Sequence, residues 1–406
     1  MGIMNTQNKK RQTEYNKKAD GTCSEVLFKP IGFDILDYYL GTEVNSDEGE
    51  GFYNLGVPQG KISMFIGHSQ SGKTTLALQV AYNIVADLNG DVVLYDFERS
   101  TNDARSRIKS ITGCDDDAYD STFTVFKNQT MTIDDVKEYI FDTAATKAKL
   151  GKAAMIDWID LQGNNTKIFA PTVIILDSWA VIRNKDILTD AKMDGNMVPA
   201  SIAKSNGNFL TSVEHLLEDY NISLFIINHI TTKISINPYE PRKIQLPGLQ
   251  KDENIPGGNK AVFLASYIFR LSASAELKAD ADFGVSGRIV DVQLLKTRSG
   301  YNIKKIPLVY TAKQGFSNLL TNYWHLKENK ALKACGSKGS ALPGLPEKPF
   351  SMKNFIKTYS NITEVNEEFD KEIAERYSAI LIGKSGEFLE NNITEEENDL
   401  IEEIEE

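Results

Sequence analysis

Gly67-His68-Ser69-Gln70-Ser71-Gly72-Lys73-Thr74 carries more potential chemistry than any other stretch of this chain. Its two glycines let backbone N–H groups curl around phosphate oxygens, Lys73 can reach the β- and γ-phosphates, and the Thr74 hydroxyl can ligate Mg²⁺. The flanks agree. KISMFI (61–66) is strand-like, and TLALQVAYNIVADL (75–88) has helical periodicity. A strand–loop–helix carrying G-x-x-x-x-G-K-T is a P-loop, and the helix points its positive dipole end at the same anion. Gly67, His68, Ser69, Gln70, Ser71, Gly72, Lys73, Thr74 and Thr75 are therefore expected to hold a nucleoside triphosphate.

Two further acids belong to the same chemistry. TVIILD (172–177) is an apolar run ending in Asp177. A carboxylate at the C-terminal edge of a sheet beside a P-loop can hold Mg²⁺ through water, so Thr74 and Asp177 are the expected metal residues. VVLYDFER (92–99) is the next strand after the P-loop helix and carries Asp96 and Glu98. An acid there can orient and deprotonate the water that attacks the γ-phosphate. Strand alternation puts both acids on one face, so spacing leaves the choice open.

These residues must be positioned by a sheet. KISMFI, VVLYDF, FTVF (123–126), TVIILD and ISLFIIN (222–228) are short β-rich runs separated by helical segments. Near-continuous apolar runs suit strands covered on both faces, hence an α/β fold with a mostly parallel twisted sheet and helices on both faces. YIFRL (267–271), IVDVQLLK (289–296) and IKKIPLVY (303–310) follow without long helices and predict antiparallel strands at the sheet edge. Gly336–Pro349 is rich in Gly, Ser and Pro and is expected to be a linker. The divisions expected are an N-terminal arm and lead-in at 1–55, an ATPase core at 56–325, a linker with a small C-terminal helical region at 326–390, and an acidic disordered tail at 391–406.

Composition excludes several classes. No run of about 18 uncharged apolar residues exists to span a membrane, and the N-terminus lacks the apolar stretch of a secretory signal. Three separated cysteines make no disulfide framework and fit a reducing cytoplasm. The four histidines show no metal-ligand spacing. The net charge of −11 is concentrated at one end: residues 391–406 hold eight acids and no base, leaving 45 basic and 48 acidic residues elsewhere, a net of −3. A near-neutral body can still present a local basic groove to nucleic acid.

Residues 28–325 resemble the RecA/Rad51-type recombinases, most closely the UvsX-type recombinases of tailed phages. The resemblance rests on IGFDILDYYLG…LGVPQGKISMFIGHSQSGKTT, on LYDFE, on VIILDS and on LFIINH. It implies a RecA-like P-loop ATPase core and gives Glu98 the catalytic role over Asp96. It makes His229 the residue that senses the γ-phosphate; bacterial members carry Gln there, and His follows the phage form. Lys296 and Arg298, alternating at the end of LLKTRSG, look like the family's pair that reaches a neighbouring subunit's ATP, as an arginine finger does. Ile230–Pro256 is a loop of about 25 residues, long enough to call for a function. It resembles the second DNA-binding loop, with Lys233, Arg242 and Lys243 for phosphates and Ile234 or Ile236 to wedge between bases. Arg183–Asn206 takes the place of the first, with Lys185, Lys192, Met193, Met197 and Lys204.

The resemblance implies an ATP- and Mg²⁺-dependent DNA strand-exchange enzyme. Its partners would be single-stranded and homologous duplex DNA, further copies of itself in a filament, a single-strand-binding protein and a loading mediator. Its place would be the cytoplasm, a host's if the source is viral. Two other functions compete. A hexameric replicative helicase of the same superfamily usually carries an N-terminal collar, whereas about 60 residues precede this P-loop. A non-catalytic paralogue is disfavoured by intact Lys73, Thr74 and Glu98. Residues 142–168 look like an insertion.

Overall fold

Strands that are apolar on both faces can be stable only inside a layered molecule, covered from two sides. In the computed structural model, which describes residues 27–40, 42–44, 52–54, 56–98, 103–127, 130–159, 165–185, 198–232, 246–250, 252–278, 284–297, 305–342, 348–356 and 371, such strands form the centre of a nine-stranded sheet. The strands are β1 Ile62–Gly67, β2 Asp91–Asp96, β3 Phe123–Phe126, β4 Thr172–Asp177, β5 Ile222–His229, β6 Tyr267–Leu277, β7 Gly287–Lys296, β8 Ile306–Thr311 and β9 Gly315–Phe316. Their order across the sheet is β9-β8-β7-β6-β1-β5-β4-β2-β3. Every residue of β1 and β4 is buried.

Strand alternation divides the core into two layers. Phe65, Val92, Leu94, Val173, Ile175, Phe225, Ile227 and Phe269 face one side, and Met64, Val93, Ile174, Leu176, Leu224, Ile226 and Ile268 face the other. The helices are α1 Asp34–Leu40, α2 Lys73–Val85, α3 Ala104–Thr112, α4 Asp116–Thr122, α5 Ile133–Leu150, α6 Val198–Asp219, α7 Asn259–Leu264 and α8 Asn318–Glu328. On the first layer lie α1, α2, α3 and α8, through Leu36, Leu76, Val80, Ile84, Ile108 and Leu320. Helices α5, α6 and α7 cover the second through Val136, Ile140, Phe209, Leu210, Val213 and Val262. Phe65 anchors the centre, its ring 5.3 Å from Phe225 and 5.2 Å from Phe269.

The fold is the α/β, RecA-like P-loop ATPase core expected from the sequence, with four details that differ. YIFRL is not an antiparallel edge strand: β6 runs parallel to β1, pairing Leu271 with Gly67, and only then does β7 return antiparallel. The short α7 supplies the crossover that a parallel pair requires. Residues 142–168, which look like an insertion in the sequence, are not one element of their own. Their first third completes α5, which the Thr132–Asp135 capping box starts, and beyond it Met155–Ile159 pairs antiparallel with Asn165–Phe169. The expected linker 336–349 is in part packed structure: Ser340–Ala341 pairs with Lys333–Ala334, and Leu342 is buried in the main core, as are Phe350 and Phe355 just beyond it, which pack on Tyr323 of α8. Gly and Ser content marks turns as readily as linkers. Finally, the segment expected to be a loop up to Asn206 is helical from Val198, because Phe209, Leu210, Val213 and Leu217 repeat at helical spacing toward the core.

The arm at 1–25, most of 350–385 and the acidic tail at 391–406 lie outside the described residues. Among the described residues no helix is long and apolar enough to cross a membrane.

Candidate nucleotide-hydrolysis site

Parallel register brings four strand ends to one edge. Gly67 lies level with His229, Ile227 with Asp177, and Asp177 with Asp96. Ligands of open α/β sheets bind outside this carboxyl edge.

The loop 67–74 turns there into α2. Gln70 has φ 61° and Gly72 φ 90°. A Cβ at Gly72 would lie 2.9 Å from the Phe316 ring, so both conformation and space require glycine. His68, Ser69 and Gln70 are exposed at the loop's tip, whereas Ser71, Lys73 and Thr75 are buried. The Lys73 ammonium donates to the His68 carbonyl at 2.7 Å. Burial lowers its pKa, with the charges of Asp177 and Glu98 acting in the opposite sense. The buried Ser71 hydroxyl finds no hydrogen-bond partner among the described residues, as suits a group meant for a phosphate oxygen. Thr75 approaches Arg107, whose guanidinium also donates to the Tyr310 hydroxyl at 3.0 Å and the Ala312 carbonyl at 3.1 Å.

Thr74 and Asp177, 103 residues apart in sequence, meet: the Thr74 hydroxyl donates to Asp177 Oδ2 at 2.7 Å. Burial pushes the Asp177 carboxyl up to about 6, the Thr74 hydrogen bond partly offsetting this and Glu98 and Asp96 adding to it. Two hard oxygen donors at the phosphate edge are the set Mg²⁺ takes alongside phosphates and water. Among the described residues no group of three His, Cys, Asp or Glu side chains could hold a metal; the Thr74–Asp177 pair fits a metal that phosphate oxygens also ligate.

Glu98 lies just past β2, and its backbone N–H donates to the Asp177 carbonyl at 3.2 Å. Its Oε1 meets His229 Nε2 at 2.9 Å and accepts a hydrogen bond from the Ser178 hydroxyl. Asp96 is buried within the strand. The half-exposed acid beside the phosphate loop is thus Glu98. Asn228, next to His229, donates to the Pro256 carbonyl at 2.8 Å, and Trp179 Nε1 donates to the Gly257 carbonyl at 3.1 Å. Sequence reasoning missed Ser178, Trp179 and this use of Asn228, and no spacing signal could have found them, because each partner lies 28 to 80 residues away.

Other expected residues sit apart from this cluster. Lys296 is at the opposite edge of the sheet, level with Ile268 near the start of β6. Its ammonium donates to the Val262 and Phe263 carbonyls at 2.8 and 2.6 Å, closing the C-terminal turn of α7. Lys185 reaches Asp135 at 3.4 Å, at the start of α5. Lys204 is exposed on α6, not on a loop. Arg298, Lys192, Met193, Met197, Lys233, Ile234, Ile236, Arg242 and Lys243 lie outside the described residues. The long segment after His229 is closed at its base, where Thr231–Thr232 pairs with Glu253–Asn254. Beyond His68, Glu253 Oε1 accepts from Arg270 at 2.6 Å.

Residues 53–231 match the model of a protein family described as an AAA domain. The match takes in β1 to β5 with Lys73, Thr74, Glu98, Asp177 and His229, and stops short of β6 to β9. No curated protein matches the chain. Residues 53–231 are thus similar to a P-loop ATPase domain of the AAA type.

Proposed function

We propose that this AAA-type P-loop domain drives an ATP-dependent DNA strand-exchange recombinase working as a filament on single-stranded DNA. The observation that carries the ATP-hydrolysing part of this reading is the meeting of Thr74, Asp177, Glu98 and His229 at one sheet edge, with the base of a long loop continuing from the same strands.

The loop N–H groups, Ser71 and Lys73 bind the β- and γ-phosphates. Thr74 and Asp177 would hold Mg²⁺, which neutralises charge on the phosphate oxygens. Glu98, anchored through Oε1, has Oε2 to take a proton from the attacking water. The water oxygen bonds to the γ-phosphorus, the bond to the β,γ-bridging oxygen breaks, and ADP leaves. His229 trades Glu98 for the γ-phosphate when triphosphate is bound. Two residues later the chain enters the Thr231–Thr232 rung, so a shift at His229 reaches the loop at once. That loop's Lys233, Arg242 and Lys243 would take DNA phosphates.

Lys296 stands at the edge away from its own P-loop, which suits a cation serving a neighbouring subunit. Filament and DNA contact rest on the family resemblance, and the test is direct. Electron microscopy with circular single-stranded DNA and a non-hydrolysable ATP analogue should reveal helical filaments. Closed six-membered rings would instead identify a helicase. A strand-exchange assay then separates a recombinase from a non-catalytic mediator.

A further inference from the structure

We infer that Ser178 is a positioning residue for Glu98, holding the general base in place while His229 is engaged elsewhere. This rests on the proposed role of Glu98. Ser178 follows Asp177 directly and is fully buried. It occupies the N-cap position of the short helical turn Trp179–Val181, where serine normally turns its hydroxyl back onto the helix N–H groups. Here it makes no such bond. The hydroxyl donates to Glu98 Oε1 instead.

The geometry gives that bond a purpose. Both side-chain contacts of Glu98, from Ser178 and from His229, fall on Oε1, so the carboxylate is gripped by one oxygen and presents the other. The two donors differ in permanence. The His229 side chain is about one-third exposed, at 31%, and leaves for the γ-phosphate in the proposed cycle. The Ser178 hydroxyl is sealed from solvent, and water does not compete for it. When His229 turns away, Ser178 is the side chain among the described residues that still fixes the direction of Glu98. A base held in place adds to the rate through orientation and not through substrate affinity.

The experiment compares the full chain with Ser178→Ala, Glu98→Gln and the double variant, using Mg-ATP and circular single-stranded DNA. Turnover, KM for ATP and ADP affinity are measured for each. Ser178→Ala should lower kcat roughly 10- to 100-fold, with KM and ADP affinity within about twofold. In the Glu98→Gln background the same change should add nothing to the loss of turnover, because no general base is left for Ser178 to position. An unchanged kcat in Ser178→Ala overturns the inference. So does an equal loss in both backgrounds, or a loss of ADP affinity that parallels the loss of kcat. If Glu98→Gln itself turns over like the natural chain, the role of Glu98 fails instead.

Discussion

Asp177 illustrates how burial opposes the metal-holding role proposed for a single side chain. Taking a carboxylate out of water favours its neutral form, and the Asp177 pKa is pushed up to about 6 despite the Thr74 hydroxyl and the nearby Lys73. Holding Mg²⁺ needs the ionised form. Below about pH 6 the metal must displace a proton, so affinity for Mg-nucleotide should fall as pH drops through that value. The stability linkage has the opposite sense: between the ordinary value of 3.8 and about 6 the folded chain holds the extra proton, so this group's contribution to stability declines as pH rises across that window. Titrating Mg²⁺ into protein with a fluorescent nucleotide at pH 5, 6 and 7.5 measures the effect. Affinity should rise across the series in the natural chain and stay flat and weak in Asp177→Asn. A flat response in both would assign the metal to other groups.

At the scale of elements, the end of β4 sends three consecutive residues to three tasks: Asp177 to the Thr74 pair, Ser178 to Glu98, and Trp179 to the loop base at Gly257. The phosphate edge and the segment that closes the long loop are thereby both held by the end of β4. Gly257 is the tightest point of this contact. Its φ is 88°, and a Cβ there would lie 2.4 Å from Trp179 Cδ1. Gly257→Ala combines backbone strain with a clash against a fully buried ring, so it should destabilise the chain by roughly 2–4 kcal/mol. The readout is the urea unfolding midpoint. A shift equivalent to less than about 0.5 kcal/mol would mean that the loop base is loose. In the sheet, Phe65→Ala removes the ring packed between Phe225 and Phe269 and should cost about 3–5 kcal/mol, read the same way.

For the molecule as a whole, the proposed function gives the two edges of the sheet separate tasks. One edge gathers the phosphate loop, Asp177, Glu98 and His229, while Lys296 and the exposed Phe263 ring beside it lie toward the other. A side chain at that far edge can act on a triphosphate only from the next subunit of an assembly. On the proposed function, Lys73→Ala and Lys296→Ala should each lack DNA-stimulated turnover alone, yet regain part of it when mixed. Mixed neighbours can pair an intact P-loop with an intact Lys296. No recovery over a range of mixing ratios would remove Lys296 from the proposed hydrolysis. The ammonium also closes α7, so Lys296→Ala should lose about 1 kcal/mol of stability, a loss visible by thermal melting and separable from turnover by the mixing experiment.

The P-loop, the Asp177 strand and the parallel centre of the sheet are legible in the sequence because their causes are local: glycine conformations, strand–loop–helix periodicity and unbroken apolar runs. The choice between Asp96 and Glu98 is not local, since both share a face by alternation. The strand ends inside the core at Asp96 and exposes Glu98 beyond it, beside His229. The parallel run of β6, the folded part of 336–349 and the helical start at Val198 likewise follow from which surfaces find a partner to bury against. Short apolar runs do not encode strand direction, and Gly-rich stretches do not encode packing. The Ser178–Glu98 and Trp179–Gly257 contacts exist only once strands distant in sequence lie side by side. The sequence determined which chemistry the chain can hold. Tertiary structure decided which side chains aim that chemistry, because aim depends on neighbours that only folding supplies.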